Sequence, residues 1–502
     1  MGRTIMYLNK KNKTLIIFVT LFLFGIGLLT ANRIFFMNNL AYGAPSGTNS
    51  MSEIADPEDD NYFKYFPMFK KAYYTLKKEY YDKDKVSAKN LFYGAIKGML
   101  LSLDDPYSVF MEPAVAKEFA IDMTAKFGGL GIHIDIRDGW LTIVSPIEDT
   151  PAWKAGLKPN DKIVEIDGVT TRDITVEQAI SKLRGKPGTK VTITIVRMGV
   201  EEPFQVTLVR EEIIIKTVKS ALISHKNVQY AYIRISEFSQ PTAEELKKHL
   251  KENLAKKPKG MIIDLRGNPG GLLNVVVYCA DFFLNDGLIV YTRGRLAENN
   301  SEFYAKKEDT IVPMDMPLIV MIDQGSASAS EIFAGAMKDT GRAVILGMKS
   351  FGKGSVQKPF DFAEDASTMK FTVAKYFTPA GVVIDKVGLQ PDVEEKNWYE
   401  KIDNNEKNDL YKLQFTNIIK AYLENKPVPT EQDLNKFRME LIEKDYKISL
   451  ISLKWLIQMK LRETEIPKVY DLEFDDQLVK ALSVMENFKN YEKKVKVYDN
   501  PK

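Results

Sequence analysis

Pro317-Leu318-Ile319-Val320-Met321-Ile322-Asp323, followed by Gly325-Ser326-Ala327-Ser328-Ala329-Ser330-Glu331, is an unbroken apolar run that ends in a turn of small residues. The run reads as a buried strand, and Glu331 to Lys338 reads as the helix after it. A serine on such a strand-to-helix turn sits where free backbone N–H groups and the helix dipole can stabilise an oxyanion. A histidine base is missing from any recognisable triad pattern. The chain holds three histidines, His133, His225 and His249, and none stands in such a motif. Phe351-Gly352-Lys353-Gly354 follows shortly after the turn, and a lysine held between glycines can act as the base if burial lowers its pKa. The pattern is that of a Ser/Lys hydrolase.

Two plainer readings stand beside it. Ser328-Ala329-Ser330-Glu331 fits the S-x-x-E capping box, which starts a helix and nothing more. Gly352-Lys353-Gly354 alone is a solvated turn. The order of the surrounding segments changes the balance. These are Leu103-Asp104-Asp105-Pro106-Tyr107-Ser108-Val109-Phe110, Phe127-Gly128-Gly129-Leu130-Gly131-Ile132, Asp264-Leu265-Arg266-Gly267-Asn268-Pro269-Gly270-Gly271, Gly325 to Ile332, and Phe351 to Gln357. Thr378-Pro379-Ala380-Gly381, with Gly388-Leu389-Gln390-Pro391-Asp392, closes the series. Over roughly residues 60 to 395 the chain resembles the carboxyl-terminal processing peptidases, or tail-specific proteases. The resemblance implies Ser328 as nucleophile, Lys353 as general base and Gln357 as the residue that orients the lysine.

Composition narrows the alternatives. A chain of 502 residues has room for two or three domains, and 45% hydrophobic residues suffice for packed cores. A net charge of +3, with no basic stripe interleaved with aromatics, gives nucleic-acid binding little support. One cysteine, Cys279, excludes an intrachain disulfide framework, and with three scattered histidines leaves no zinc-ligand spacing. No metal or cofactor is expected.

Thr14 to Ala31 is uncharged and long enough to cross a bilayer, with Arg3, Lys10, Lys11 and Lys13 before it. The positive-inside rule places residues 1–13 in the cytoplasm and the remainder outside, in the periplasm or at a bacterial cell surface. A retained anchor and a cleaved signal peptide are both open. Ala41-Tyr42-Gly43 is a passable cleavage site, but its distance from the apolar run favours the anchor.

The expected architecture is multidomain α/β. Residues 14–31 form the membrane segment and 32–60 a linker. Residues 61–120 form a helical domain in which Leu91, Ala95, Met99 and Leu103 fall on one stripe. Residues 127–212 form short strands with Asp138-Gly139 and Asp167-Gly168 as turns, and resemble a PDZ domain. Asn160-Asp161 stands where the PDZ pattern has Gly-Asp, and asparagine tolerates a left-handed turn. Residues 213–395 alternate strands and helices as an α/β layered domain does; the resemblance implies the core that these peptidases share with crotonase-like enzymes. Residues 396–502 read as helical, a cap or a dimerisation arm.

A lysine base must lose roughly three pKa units from ~10.4 to serve at neutral pH, about 4 kcal/mol. Burial can supply that, and no acid occurs between Gly347 and Phe360 to hold the charge. The amide of Ala329 and that of Gly271 are the candidate oxyanion donors. In the PDZ segment, the amides of Leu130, Gly131 and Ile132 would receive a substrate's terminal carboxylate. Arg184, in Leu183-Arg184-Gly185-Lys186-Pro187-Gly188-Thr189, matches the family arginine that links the PDZ domain to the peptidase site, and whether the domain gates or only tethers stays open. The expected partners are protein tails, the membrane and further copies of the chain. The competing functions are a catalytically inactive, membrane-tethered PDZ protein that binds C-termini, and acyl transfer of the crotonase type, which the PDZ segment and the export signal oppose.

Overall fold

In the computed structural model, residues 61–462, 468–494 and 496–498 are described. The apolar stretch 14–31 and the linker 32–60 lie outside the described residues. Among those described, no helix is long and apolar enough to cross a membrane.

The centre is a six-stranded sheet in the order Val218–His225, Val228–Ile235, Met261–Asp264, Leu318–Ile322, Val344–Gly347, Val393–Glu394. The first pair is antiparallel and the rest are parallel. Its central strands are buried on both faces, which explains their continuous apolar sequence. Along them the side chains alternate between two layers. Met261, Ile263, Leu318, Val320, Ile322 and Ile345 pack towards the helices Thr242–Leu254, Leu273–Asp281 and Ala329–Asp339. Ile262, Ile319, Met321, Val344 and Leu346 pack towards the helix Asp476–Glu486, through Leu478, Ala481, Leu482 and Met485. The helix Asp476–Glu486 therefore covers one face of the core. The helices from Trp398 to Leu461 bury a cluster of their own around Leu413, Leu441 and Leu453.

A second, antiparallel sheet carries Lys353's neighbours. Its long strand Thr368–Phe377 pairs with Ser355–Asp361 on one side, and with Val109–Met111 and Leu288–Gly294 on the other. The amino-terminal helical region thus donates a strand to the peptidase core. The expected stripe on the helix Ala88–Leu101 is displaced. Tyr93, Ile96 and Leu100 turn inward against Phe110, whereas Met99 is exposed and Leu103 lies beyond the helix, also exposed. Its inward face meets Phe110, Phe362, Met369 and Phe371, while Phe92 meets Phe69 and Tyr73 of the helix Asn61–Glu79, so the buried stripe is offset from the expected one.

Residues 132–209 form a five-stranded sheet, with a sixth short strand, Val169–Thr170, paired to its middle strand Lys162–Ile166, over the helix Val176–Leu183. Val191, Ile193 and Ile195 alternate inward as their sequence does. The strand Trp140–Pro146 departs from strict alternation, because Thr142 is buried with its hydroxyl donating to Trp140 O at 3.1 Å. Asn160 takes φ +67° and so makes the left-handed turn without glycine. Strands Lys126–Gly129 and Glu211–Ile214 pair as a two-stranded neck to the core.

Candidate active site

Ser328 caps the helix Ala329–Asp339 with φ +55° and ψ −115°, a conformation that side-chain-bearing residues rarely adopt. Such strain persists only where its surroundings over-determine it. The buried Glu331 does so. Its Oε2 accepts the N–H of Ser328 at 2.8 Å and of Lys353 at 2.9 Å, and its Oε1 accepts Gly352 N–H at 2.7 Å and Ser350 Oγ at 2.5 Å. One carboxylate therefore binds the serine turn and the lysine turn together. Burial pushes Glu331 up, and its four donors oppose that shift. The capping-box reading was half of this arrangement; the other half lies 19 to 22 residues downstream.

The lysine turn is pressed against the segment Asp385–Gly388. A Cβ on Gly354 would lie 2.4 Å from Asp385 N, so only glycine fits there. Tyr376, fully buried, donates its hydroxyl hydrogen bond to Lys353 O and lies against the Ser328 side chain. The Lys353 Nζ sits 4.8 Å from the Tyr107 ring centroid. Its pKa falls well below the ordinary lysine value, through burial first and the charge of Lys370 second, with Glu331 and Asp105 opposing. The expectation of a lysine without acidic neighbours is thereby amended. No acid is near in sequence, but Asp105 arrives from a segment some 250 residues earlier. Asp105 accepts Ser108 Oγ at 2.5 Å, Thr372 Oγ1 at 2.6 Å and Tyr107 N–H at 3.0 Å. Gln357 donates its amide to Ser355 Oγ at 2.7 Å and to Thr372 Oγ1 at 3.2 Å, which connects it to Asp105.

Asn268 joins the glycine loop to the serine turn. Its carbonyl accepts Ala327 N–H at 3.0 Å and Ser330 Oγ at 2.9 Å. Gly271 has φ +143°, and a Cβ there would lie 2.1 Å from Phe238 O. Phe238 N–H bonds Gly270 O and Leu272 N–H bonds Phe238 O, so the N–H of Gly271 points to the opposite edge. Among the described residues neither Gly271 N–H nor Ala329 N–H has an acceptor, although both residues are buried. Buried donors without partners are rare enough to require a reason.

In the PDZ segment, Gly131 O accepts from Ile147 N–H at 2.8 Å and Leu130 O from Ala152 N–H at 3.0 Å. The N–H groups of Leu130 and Gly131 have no acceptor among the described residues, and Ile132 opens the strand beside them. Arg184 caps the helix Val176–Leu183; its guanidinium pairs with Glu118 and lies 4.5 Å from the Phe127 ring centroid. The helix Pro113–Thr124, which carries Glu118, links Arg184 to the core, since its Phe119 and Met123 belong to the core cluster. The histidines are engaged in other parts of the molecule. His225 Nε2 meets Glu486 Oε1 at 2.6 Å, His249 Nδ1 meets Ser220 Oγ at 2.8 Å, and His133 is an exposed residue of the PDZ strand Ile132–Arg137. Cys279 is buried, and burial pushes its thiol up.

The sequence profile of peptidase family S41 matches residues 229–395, that of the PDZ domain residues 142–197, and that of the activating protease CtpB N-terminal domain residues 28–114. The carboxy-terminal-processing protease of Bartonella bacilliformis is 42% identical over 309 residues, which cover 61% of this chain and 69% of that protein. The chain belongs to the carboxy-terminal processing proteases. The family protease CtpB of Bacillus subtilis is 39% identical over 342 residues, covering 68% and 69%, and CtpA of the same organism is 38% identical over 328, covering 65% and 68%. As an S41 serine peptidase with a PDZ domain, the chain acts on proteins. Asp105, Tyr107, Glu331, Tyr376 and Asn268 were not assigned from sequence, though all stand in or beside the family segments quoted above.

Proposed function

We propose that this protease cleaves exported proteins at or near their C-termini with Ser328 as nucleophile and Lys353 as base. The observation that carries the reading is the pairing of a strained, buried Ser328 with a buried Lys353 through the single carboxylate of Glu331. The Ser328 hydroxyl adds to the scissile carbonyl as the neutral Lys353 amine takes its proton. The amides of Ala329 and Gly271 receive the oxyanion. Lys353 then returns the proton to the leaving amine, and the same steps with water free the acyl group from Ser328. Gln357 steadies the Lys353 side of the site through Thr372, and as a neutral group does not restore charge to the amine. A fluorophosphonate probe tests the nucleophile: adduct formation at Ser328 that Lys353→Ala suppresses is expected, and a probe that leaves Ser328 unmodified argues for a tail-binding protein instead.

The PDZ domain captures the substrate's terminal carboxylate at the amides of Leu130, Gly131 and Ile132. Arg184, held by Glu118 on a helix rooted in the core, makes the domain a gate. Amidating a peptide substrate's C-terminus, or Arg184→Ala, is expected to lower kcat as well as affinity, because a tether alone changes KM and leaves kcat intact. A saturating amidated peptide cleaved at the rate of the free acid refutes the gate.

Residues 14–31 hold the chain at the membrane with its catalytic domains outside the cytoplasm, and the chain self-associates. Tyr65, Phe66, Met68 and Tyr74 expose apolar surface along the helix Asn61–Glu79, which suits an assembly contact. The full chain should fractionate with membranes and, solubilised in detergent, sediment above the mass of one copy. A soluble monomer removes both statements.

A further inference from the structure

We propose that Lys370 is a positioning residue for the Lys353 amine, a second buried cation whose charge keeps Lys353 in its free-base form. The proposal rests on the Ser/Lys reading above. On the strand Thr368–Phe377, Lys370 and Thr372 share one face by the period of two, and beyond a register shift at Val373 the strand turns Ala374 and Tyr376 inward as well. Two of these already serve the site, since Thr372 bonds Asp105 and Gln357 while Tyr376 touches Lys353 and Ser328. Lys370 lies on the same face with 1% of its surface exposed, an unusual place for a lysine. Its Nζ is 5.2 Å from the Phe119 ring centroid and enters no ion pair among the described residues. A lysine kept only for packing has no need of an ammonium in this position.

Two ammonium groups in one dry site cannot both hold their protons comfortably. The charged or titratable groups around the pair are Asp105 from the segment after the helix Ala88–Leu101, Glu331 from the helix Ala329–Asp339, and Tyr107, Tyr376 and Asp385 around the lysine turn. Glu331 and Asp105 both favour a cation at Lys353, while Asp105 alone does so at Lys370. Burial brings Lys370 down to about 8 with Asp105 opposing, so it still carries its charge at neutral pH. Lys353 then meets that charge in addition to its own burial and gives up its proton first. The arrangement lowers a base by a neighbouring cation rather than by burial alone.

Lys370→Met keeps an unbranched stem and removes the charge. With it gone, Lys353 keeps its proton to higher pH. The rising limb of the kcat/KM–pH profile should move up by about one unit or more, a loss of about tenfold at pH 7 that is recovered at alkaline pH. Lys370→Arg should keep the parent's limb. A residue needed only for structure would lower the rate at every pH without moving the limb. Lys370→Gln gives the same reading if the methionine variant fails to fold. A parent-like limb in the folded Met or Gln variant overturns the proposal. Lys353→Ala, measured alongside, separates the two readings: if it still turns over, the Ser/Lys assignment itself has failed, and the role of Lys370 with it.

Discussion

Lys353→Ala and Ser328→Ala are each expected to lower kcat for tail cleavage by about 10⁴-fold or more, and the double variant is expected to be no worse than either single one. Groups that act as one unit show this non-additivity, because removing either leaves only the binding and oxyanion contributions. Both side chains sit in a dry site where neither holds the fold by itself. Lys353 is fixed by its backbone, through Glu331 and Tyr376, so truncating its side chain leaves the turn in place. Folded protein that still binds tail peptides should therefore accompany the lost turnover. The rate of the parent should rise with pH at an apparent value well below that of a free lysine, since the folded site disfavours the ammonium. Variants of His133, His225 and His249 are the control. Loss of chemistry in any folded one of them would return the role of base to histidine.

Glu331→Ala is expected to have the second largest effect, on stability and activity together. It strands four donors in a buried site, Ser328 N–H, Gly352 N–H, Lys353 N–H and Ser350 Oγ. Each unsatisfied buried group costs about 1–3 kcal/mol, part of which a water entering the vacated space recovers. A net loss of about 3–5 kcal/mol from the peptidase core is expected in thermal or denaturant unfolding. Glu331→Gln should not rescue it, because the amide nitrogen would face donors where an acceptor is needed. If Glu331→Gln matches the parent in melting and turnover, the carboxylate is not the clamp between the two turns.

The sequence was legible where one local rule settled the outcome. Lys190 to Val196 alternates and folds as a half-buried strand, Leu318 to Ile322 is apolar throughout and lies buried on both faces, and Asn160 makes the left-handed turn. The serine turn was legible because strand, small residues and helix follow each other directly. Legibility failed where a residue's partners are distant along the chain. Glu331 showed its capping half and hid the half that holds Lys353. Asp105 enters the site from the far side of the PDZ domain, and no window of sequence contains both it and Lys370. On the helix Ala88–Leu101 the buried stripe is set by Phe110 and by the distant Phe362, Met369 and Phe371, so periodicity alone chose a stripe offset from the buried one.

The helix Asp476–Glu486 has a consequence in time. Ser328 and Lys353 belong to segments complete by residue 361, yet the sheet beneath them has its second face covered by Leu478, Leu482 and Met485. Each of those side chains contributes roughly 1.5–3 kcal/mol on burial. Asp475 also accepts two hydrogen bonds from Arg266, in the loop that leads to Gly271. During synthesis, more than a hundred residues must emerge after residue 361 before that face is closed. The order of the chain thus keeps the sheet beneath Ser328 and Lys353 open on one side until the helix Asp476–Glu486 has been made.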